Sequence, residues 1–262
     1  ISAARHGIKV VLVQDRGVLG GNASSEIRMW ICGAHGKDNR ETGIIEEIML
    51  ENFFQNPQLS YSLWDMVLFD KTSRQDNLTL LLNTSCLDAN TENGKIISIT
   101  AWQSPCETVH TIKARYFADC SGDSILSTLT GAHFRYGREA ESEFGESIEP
   151  KTADKKTMGM SCLFQVRETD KPQKFTPPEW AYKYCTDDDI PFREHDLSSN
   201  FWWIETGGEG DCIHDTDKCR DELLKIAYGV WDHIKNHGDH GAENYELEWV
   251  GILPGKRESR RY

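Results

Sequence analysis

A pair of glycines at positions 20 and 21 follows a short apolar segment, an arrangement typical of nucleotide-binding proteins. Residues 10–13 (VVLV) have the length and composition of a buried parallel strand. Gln14 and Asp15 follow that strand, where a side chain faces the adenosine ribose in a dinucleotide-binding sheet. Because glycine has no Cβ, Gly20 and Gly21 allow backbone N–H groups to approach a ligand closely. The neighbouring candidate contacts are Arg16, Asn22, Ser24 and Arg28.

A second glycine-containing turn lies at residues 119–123 (DCSGD), between a strand predicted at residues 115–118 and a short helix. Glycine at a strand-to-helix turn places N–H groups at the positive end of a helix, which suits a phosphate or a polar cofactor tail. Ser121, Gly122 and Asp123 are therefore candidate cofactor contacts. A capped turn without a ligand is the alternative interpretation.

Two segments, AARHGIKVVLVQDRGVLGGNASSEIR and FADCSGDSILSTLTGAHFRYGRE, resemble FAD-dependent oxidoreductases with a glutathione-reductase-like flavin fold. Some members of that family are distantly similar to the flavin subunit of heterodisulfide reductase. The resemblance implies FAD as the cofactor and an α/β fold (α+β overall). It also implies a Rossmann-like FAD/NAD(P)-binding parallel sheet, an inserted antiparallel meander and a second, substrate-binding lobe. The backbone near Cys86 would face the adenine.

The printed sequence departs from this family pattern in two places. It opens with residues typical of a helix end, without the preceding G-x-G-x-x-G fingerprint, so we expect a fragment truncated at both ends and inactive alone. Gln14 stands where the family usually has Glu. A carboxylate accepts from two ribose hydroxyls, whereas an amide offers one acceptor and one donor. Either Asp15 takes over the ribose contact or Gln14 makes it more weakly.

The chain is long enough for two lobes. We predict an FAD-binding lobe at residues 1–140, in which residues 31–75 form an inserted loop and helices, and a substrate or cap lobe at residues 141–262. Residues 78–82 are a second candidate parallel strand, and Asn93-Gly94 predicts a hairpin within the meander. A helix with one apolar face is predicted at residues 217–237.

Two residues are candidates for the chemistry itself. In related flavoproteins an inserted loop covers the isoalloxazine ring, which makes His35 the candidate proton carrier, with a turn-stabilising role as the alternative. Four cations are concentrated in residues 256–261. Of these we predict that Arg257 faces the flavin or the substrate, a solvated segment being the alternative, and that Arg28 lies on the phosphate or ribityl side.

His233 and His237 have the i, i+4 spacing of metal-binding histidines. Without a companion carboxylate motif, we expect surface residues favoured by the helix dipole, and no metal. Iron–sulfur ligation is not expected either, because the eight cysteines include no closely spaced thiolates. The absence of paired cysteine spacing also favours a reducing compartment such as the cytoplasm.

Composition excludes several partners. The net charge of −13 argues against nucleic acid and anionic membranes, and a mean hydropathy of −0.56 without any long apolar run predicts a soluble protein.

Two functions stay open. One is an oxidoreductase transferring hydride between FAD and a small substrate, for which the aromatic residues of the second lobe suit a carbohydrate-related compound. The other is a flavin-containing electron-transfer subunit that partners iron–sulfur proteins and has no small substrate.

Overall fold

The computed structural model describes residues 1–34, 36–191, 195, 197 and 201–261, with the backbone alone at residues 201–203. Contacts divide the chain into two compact units, Ile1–Phe134 and Arg135–Arg261. This division falls near the boundary predicted after residue 140. None of the helices in the described ranges combines the length and apolarity that a bilayer crossing requires.

The first unit contains two parallel strands, β1 (Val10–Val13) and β2 (Leu78–Leu81). They pair in register from Val10 with Leu78 to Val13 with Leu81, which confirms the two apolar segments as neighbouring strands. Parallel strands need a long connection, and helices supply it here. Helices α2 (Gly43–Gln55) and α3 (Tyr61–Ser73) lie in this connection, and helix α1 (Ser2–Arg5) precedes β1.

An antiparallel meander follows β2 directly. Its strands are β3 (Thr84–Glu92), β4 (Lys95–Gln103) and β5 (Thr108–Lys113). Asn93 and Gly94 join β3 to β4 with φ angles of 50° and 73°. Positive φ at both central residues is what a tight hairpin turn requires, so the predicted hairpin is confirmed.

The prediction of a strand at residues 115–118 is wrong. These residues form no strand, and Tyr116 is exposed. Apolar composition indicates a strand only where a neighbouring strand can accept its hydrogen bonds. Within the described residues the parallel sheet consists of β1 and β2 alone. The segment therefore runs irregularly to a short helix, α4 (Ile125–Thr130).

The second unit is organised around one central strand. After the short helix α5 (Glu141–Phe144) come β6 (Met160–Glu168), β7 (Phe201–Thr206), α6 (Thr216–Asn236), β8 (Tyr245–Val250) and β9 (Gly255–Lys256). Strand β6 pairs antiparallel with β7, β8 and β9. Helix α6 packs against β6 through the apolar face that its 3.6-residue periodicity predicts. Its buried core residues include Leu223, Ala227, Val230, Trp231 and Ile234.

One buried thiol gives a direct test of this packing. Cys162 on β6 is buried, and its Sγ donates to the carbonyl oxygen of Gly251 at 3.1 Å. Burial raises the pKa of the Cys162 thiol to about 12, so the thiol stays protonated at pH 8 and has little nucleophilic thiolate. Cys32 and Cys120 are exposed. Iodoacetamide at pH 8 should therefore label Cys32 and Cys120 and leave Cys162 unmodified, as read by peptide mass spectrometry. Equal labelling of Cys162 and Cys120 would contradict the packing.

Candidate functional site

The chain segments that leave β1 and β2 are tied together at the carboxyl ends of these strands. The backbone N–H of Gln14 donates to Leu81 O at 2.9 Å, and that of Thr84 donates to Gln14 O at 2.8 Å. Asn83 N–H donates to Arg16 O at 3.0 Å. Ligands of open α/β sheets bind at this end of the strands. The residues that follow β1 therefore lie where the sequence predicts a cofactor.

The two glycines of the first motif have different roles. Gly20 has a φ of 106°, and a Cβ on it would lie 2.9 Å from Leu68 Cδ1 on α3. Its lack of a side chain lets the loop pack against that helix. Gly21, at φ 57°, would place a Cβ 3.8 Å from Arg16 Nη2. A side chain at position 21 would therefore begin in contact with the guanidinium of Arg16.

Gln14 and Asp15 are placed differently although they are adjacent. The side-chain amide of Gln14 donates from Nε2 to Val18 O at 2.9 Å, which closes the turn after β1. The Asp15 side chain is 66% exposed, and its Oδ1 lies 4.0 Å from Arg16 Nε. Arg16 Nη1 lies 3.3 Å from Glu26 Oε2. Asp15 thus presents an exposed carboxylate beside a partly buried guanidinium.

Residues after the glycine pair hold the loop in shape. The buried hydroxyl of Ser24 donates to Gly21 O at 2.7 Å, and Ser25 N–H donates to Asp65 Oδ1 at 3.0 Å. The Arg28 guanidinium stacks over the Tyr61 ring, 4.9 Å from its centroid. Burial raises the pKa of Tyr61, and the charge of Arg28 opposes that shift. Asn22 lies within the single turn of 3-10 helix at Gly21–Ala23.

The second glycine motif is organised by Asp119. Asp119 Oδ1 accepts from the N–H and hydroxyl of Ser121 at 2.9 and 2.7 Å, and Oδ2 accepts from Leu126 N–H at 2.8 Å. The Ser121 hydroxyl oxygen accepts from Asp123 N–H at 3.2 Å. A Cβ on Gly122 would meet no atom within 4 Å. The N–H groups of Ser121, Asp123 and Leu126 are thus bonded within the motif.

Sequence reasoning missed the role of Asp119, although its position two residues before a serine is the spacing of an Asx turn. Asp119 also connects the motif to Cys86 on β3. Burial raises the pKa of the Cys86 thiol, its hydrogen bond to the Asp88 backbone opposes that shift, and the charges of Asp119 and Asp88 add to it. Thr84 at the start of β3 bonds to Gln14 at the end of β1, and β3 also packs against α4, the helix that follows the second motif. The first motif follows β1 directly, whereas residues 115–118 before the second motif form no strand, so the assembly of both motifs around one cofactor stays a prediction.

The two catalytic candidates stay predictions. His35 lies outside the described residues. Arg257 forms an ion pair through Nη1 with Glu205 Oε1, and its backbone N–H donates to Gly159 O at 3.2 Å. Arg261 donates to Gly137 O and Glu139 Oε1, both at 2.6 Å. These contacts place both arginines in ion pairs within the second unit.

The parallel strands and the helices define a mixed α/β protein. A glycine turn, an arginine and an exposed carboxylate follow the carboxyl end of β1 and form a candidate dinucleotide site. The family model of FAD dependent oxidoreductases matches residues 1–262, and the chain belongs to this family. No curated protein matches the chain. Membership makes FAD the cofactor and flavin-linked oxidation–reduction the activity, as the sequence motifs predict.

Proposed function

We propose that the protein transfers hydride between a small organic substrate and FAD. The family match along residues 1–262 is the observation that carries this proposal. FAD itself supplies the hydride chemistry when bound, and the protein supplies binding, orientation and electrostatics. The substrate we propose is carbohydrate-related.

The residues at the carboxyl ends of β1 and β2 fit FAD. A guanidinium such as that of Arg16 binds a pyrophosphate through charge-assisted hydrogen bonds, and glycine at position 21 keeps a side chain away from this guanidinium. The exposed carboxylate of Asp15 can accept from both ribose hydroxyls. The Gln14 amide donates from Nε2 to Val18 O, so Oε1 is the one acceptor that it can offer a ribose hydroxyl. Of the two sequence alternatives, we therefore favour Asp15 as the ribose contact.

The substrate assignment rests on the second unit. Trp180 is half exposed and packs edge-on against Tyr228, with ring centroids 5.0 Å apart. The Tyr182 hydroxyl donates to Glu222 Oε1 at 2.5 Å. Aromatic faces beside carboxylates suit the apolar faces and hydroxyls of a sugar. Arg257 and His35 keep their proposed roles toward the flavin or substrate and in proton transfer.

The alternative, an electron-transfer subunit, would relay electrons to iron–sulfur centres. Such centres need several thiolates at one place. All eight cysteines are described, and none belongs to a metal-type group within the described residues. In this alternative the iron–sulfur clusters belong to a partner protein, so the cysteines of this chain do not distinguish it from an enzyme with a small substrate.

Anaerobic titration of the purified, FAD-loaded protein tests the proposal. Flavin is first released by heating one sample of the protein and is identified by mass spectrometry. A panel of sugars, sugar acids and polyols is then added to the intact protein while flavin absorbance is followed. We expect at least one compound to bleach the flavin. Bleaching by a reduced iron–sulfur protein, with no response to any small compound, would overturn the proposal and favour the alternative.

Replacing Asp15 with asparagine should weaken FAD binding about tenfold, or about 1.4 kcal/mol. The amide loses one acceptor for the ribose hydroxyls and one negative charge. Asp76→Asn is the matched control because it makes the same charge change just before β2, at the opposite end of the sheet. Fluorescence titration of apoprotein with FAD measures both. Equal affinities for the two variants would remove Asp15 from the site.

A further inference from the structure

Three imidazoles and one carboxylate converge in the second unit. They belong to Asp187, His195, His233 and His240, and one ligand-type atom from each lies within 4.8 Å of the other three. We call these four residues the histidine cluster. His233 is fully buried, contrary to the surface position expected from sequence. The His195 and His240 side chains are about nine-tenths buried, whereas Asp187 is 72% exposed.

Hydrogen bonds on the outside of the cluster fix two tautomers. His233 Nδ1 lies 3.0 Å from Tyr184 O, and His195 Nε2 lies 3.0 Å from Ile190 O. A carbonyl oxygen only accepts, so each of these nitrogens carries the ring hydrogen. In the neutral rings the lone pairs are then on His233 Nε2 and His195 Nδ1, which face each other at 3.3 Å. Metal-binding histidines are oriented in the same way by their second nitrogen.

The remaining two groups add acceptors to the same point. Asp187 Oδ1 lies 3.1 Å from His233 Nε2 and 3.3 Å from His195 Nδ1. His240 Nε2 lies 3.6 Å from Asp187 Oδ1, and this buried atom has no hydrogen-bond partner within the described residues. Lone pairs that face one another in this way repel unless a proton or a metal cation lies between them.

Four of the six distances between the ligand-type atoms, 3.1–3.6 Å, are close to those of a tetrahedral metal centre, and all lie within 4.8 Å. Ligand atoms about 2.0–2.1 Å from zinc, placed at tetrahedral angles, are about 3.3–3.4 Å apart. The three distances to Asp187 Oδ1 run from 3.1 to 3.6 Å. Gly238 contributes because a Cβ there would lie 2.8 Å from His240 Nε2. Glycine at this position, with a φ of 96°, lets the His240 ring fold back onto the end of α6.

We infer that the histidine cluster binds one zinc ion. Three imidazole nitrogens and one carboxylate oxygen suit zinc, and four protein ligands complete its usual tetrahedral shell. The role is structural, since no ligand position stays open for a substrate. Zinc would fasten four parts of the second unit: the 3-10 turn at Asp187–Asp189, His195, the end of α6 and the loop after it. The site is independent of the proposed hydride transfer.

Metal analysis of the intact protein tests this inference. The protein is purified without a polyhistidine tag, loaded with ZnCl2, dialysed and analysed by mass spectrometry of the metal. We expect one zinc per chain. Cobalt(II) in place of zinc should give the intense visible absorption of a tetrahedral site. Zinc at a hundredfold excess over Kd should raise Tm by about 5–10 °C. Zinc well below one per chain, without a Tm change, would mean a hydrogen-bonded cluster that holds protons instead, and would overturn the inference.

Variants locate the ion. His233→Gln should lower zinc affinity at least a hundredfold, whereas His237→Gln should leave it unchanged. His237 is the matched control because it lies one turn further along the chain but contacts Asp232 Oδ2, at 3.4 Å. Because His233 is buried, Asp187→Asn is the second test, with its exposed neighbour Asp188→Asn as control. Equal zinc binding by wild type, His233→Gln and Asp187→Asn would overturn the site.

Discussion

Replacing Trp231 with alanine should lower the free energy of unfolding of the second unit by about 3–5 kcal/mol. The Trp231 side chain is fully buried on α6. Its ring packs edge-on against Phe164 of β6 at a centroid distance of 6.1 Å and against Phe175 at 6.2 Å. Truncation removes these contacts and leaves a cavity between helix and sheet. Since whole domains are stable by about 5–15 kcal/mol, this one change consumes much of the total.

Urea denaturation followed by circular dichroism measures the loss. Trp180→Ala is the matched control, because Trp180 lies in the same unit and is half exposed. Replacing Trp180 should lower the free energy of unfolding clearly less than replacing Trp231. If the two variants unfold at the same urea concentration, Trp231 is not the centre of this core.

Gly229→Ala should destabilise the protein by about 1–3 kcal/mol, although helix propensity alone predicts stabilisation by about 1 kcal/mol. Gly229 lies inside α6, where alanine is the better helix former. A Cβ at this position would lie 2.5 Å from Tyr182 O and 2.9 Å from Tyr184 Cε2. A backbone carbonyl cannot move away as a flexible side-chain end can. The clash therefore outweighs the propensity.

Thermal unfolding separates the two effects. Lys218→Ala, at an exposed position of the same helix, serves as the control for introducing alanine without a close neighbour. We expect Lys218→Ala to leave Tm nearly unchanged and Gly229→Ala to lower it. A higher Tm for Gly229→Ala would show that the 182–184 segment does not approach the helix this closely.

Local signals predicted most of the elements. The VVLV run gave β1, Asn93-Gly94 gave the hairpin and the 3.6-residue periodicity gave α6, because each signal acts within a few residues. The segment at residues 115–118 failed because a strand depends on a partner elsewhere in the chain. Asp15 and Gln14 were the two alternatives that the sequence offered for the ribose contact. The hydrogen bond from the Gln14 amide to Val18 O, which is our reason for favouring Asp15, is visible only in three dimensions.

The histidine cluster was beyond sequence reasoning for a similar reason. The i, i+4 spacing of His233 and His237 puts both on one face only while the helix continues. His237 is the C-cap of α6, with φ −124° and ψ 106°, so its side chain leaves that face. The other members of the cluster, Asp187, His195 and His240, come from separate segments. Their convergence follows from the packing of the second unit, which no local pattern encodes.

The order of strands around β6 has a consequence for biosynthesis. Strand β6 ends at Glu168, yet its partners are β7 at Phe201–Thr206, β8 at Tyr245–Val250 and β9 at Gly255–Lys256. All of these pairings are long-range, which slows folding. On the ribosome, β6 emerges with its apolar residues Met160 and Phe164 well before any partner strand exists. The nascent second unit therefore exposes an unpaired apolar strand until β7 has been released, and its sheet is complete only after residue 256, so we expect it to engage a chaperone that binds extended apolar segments.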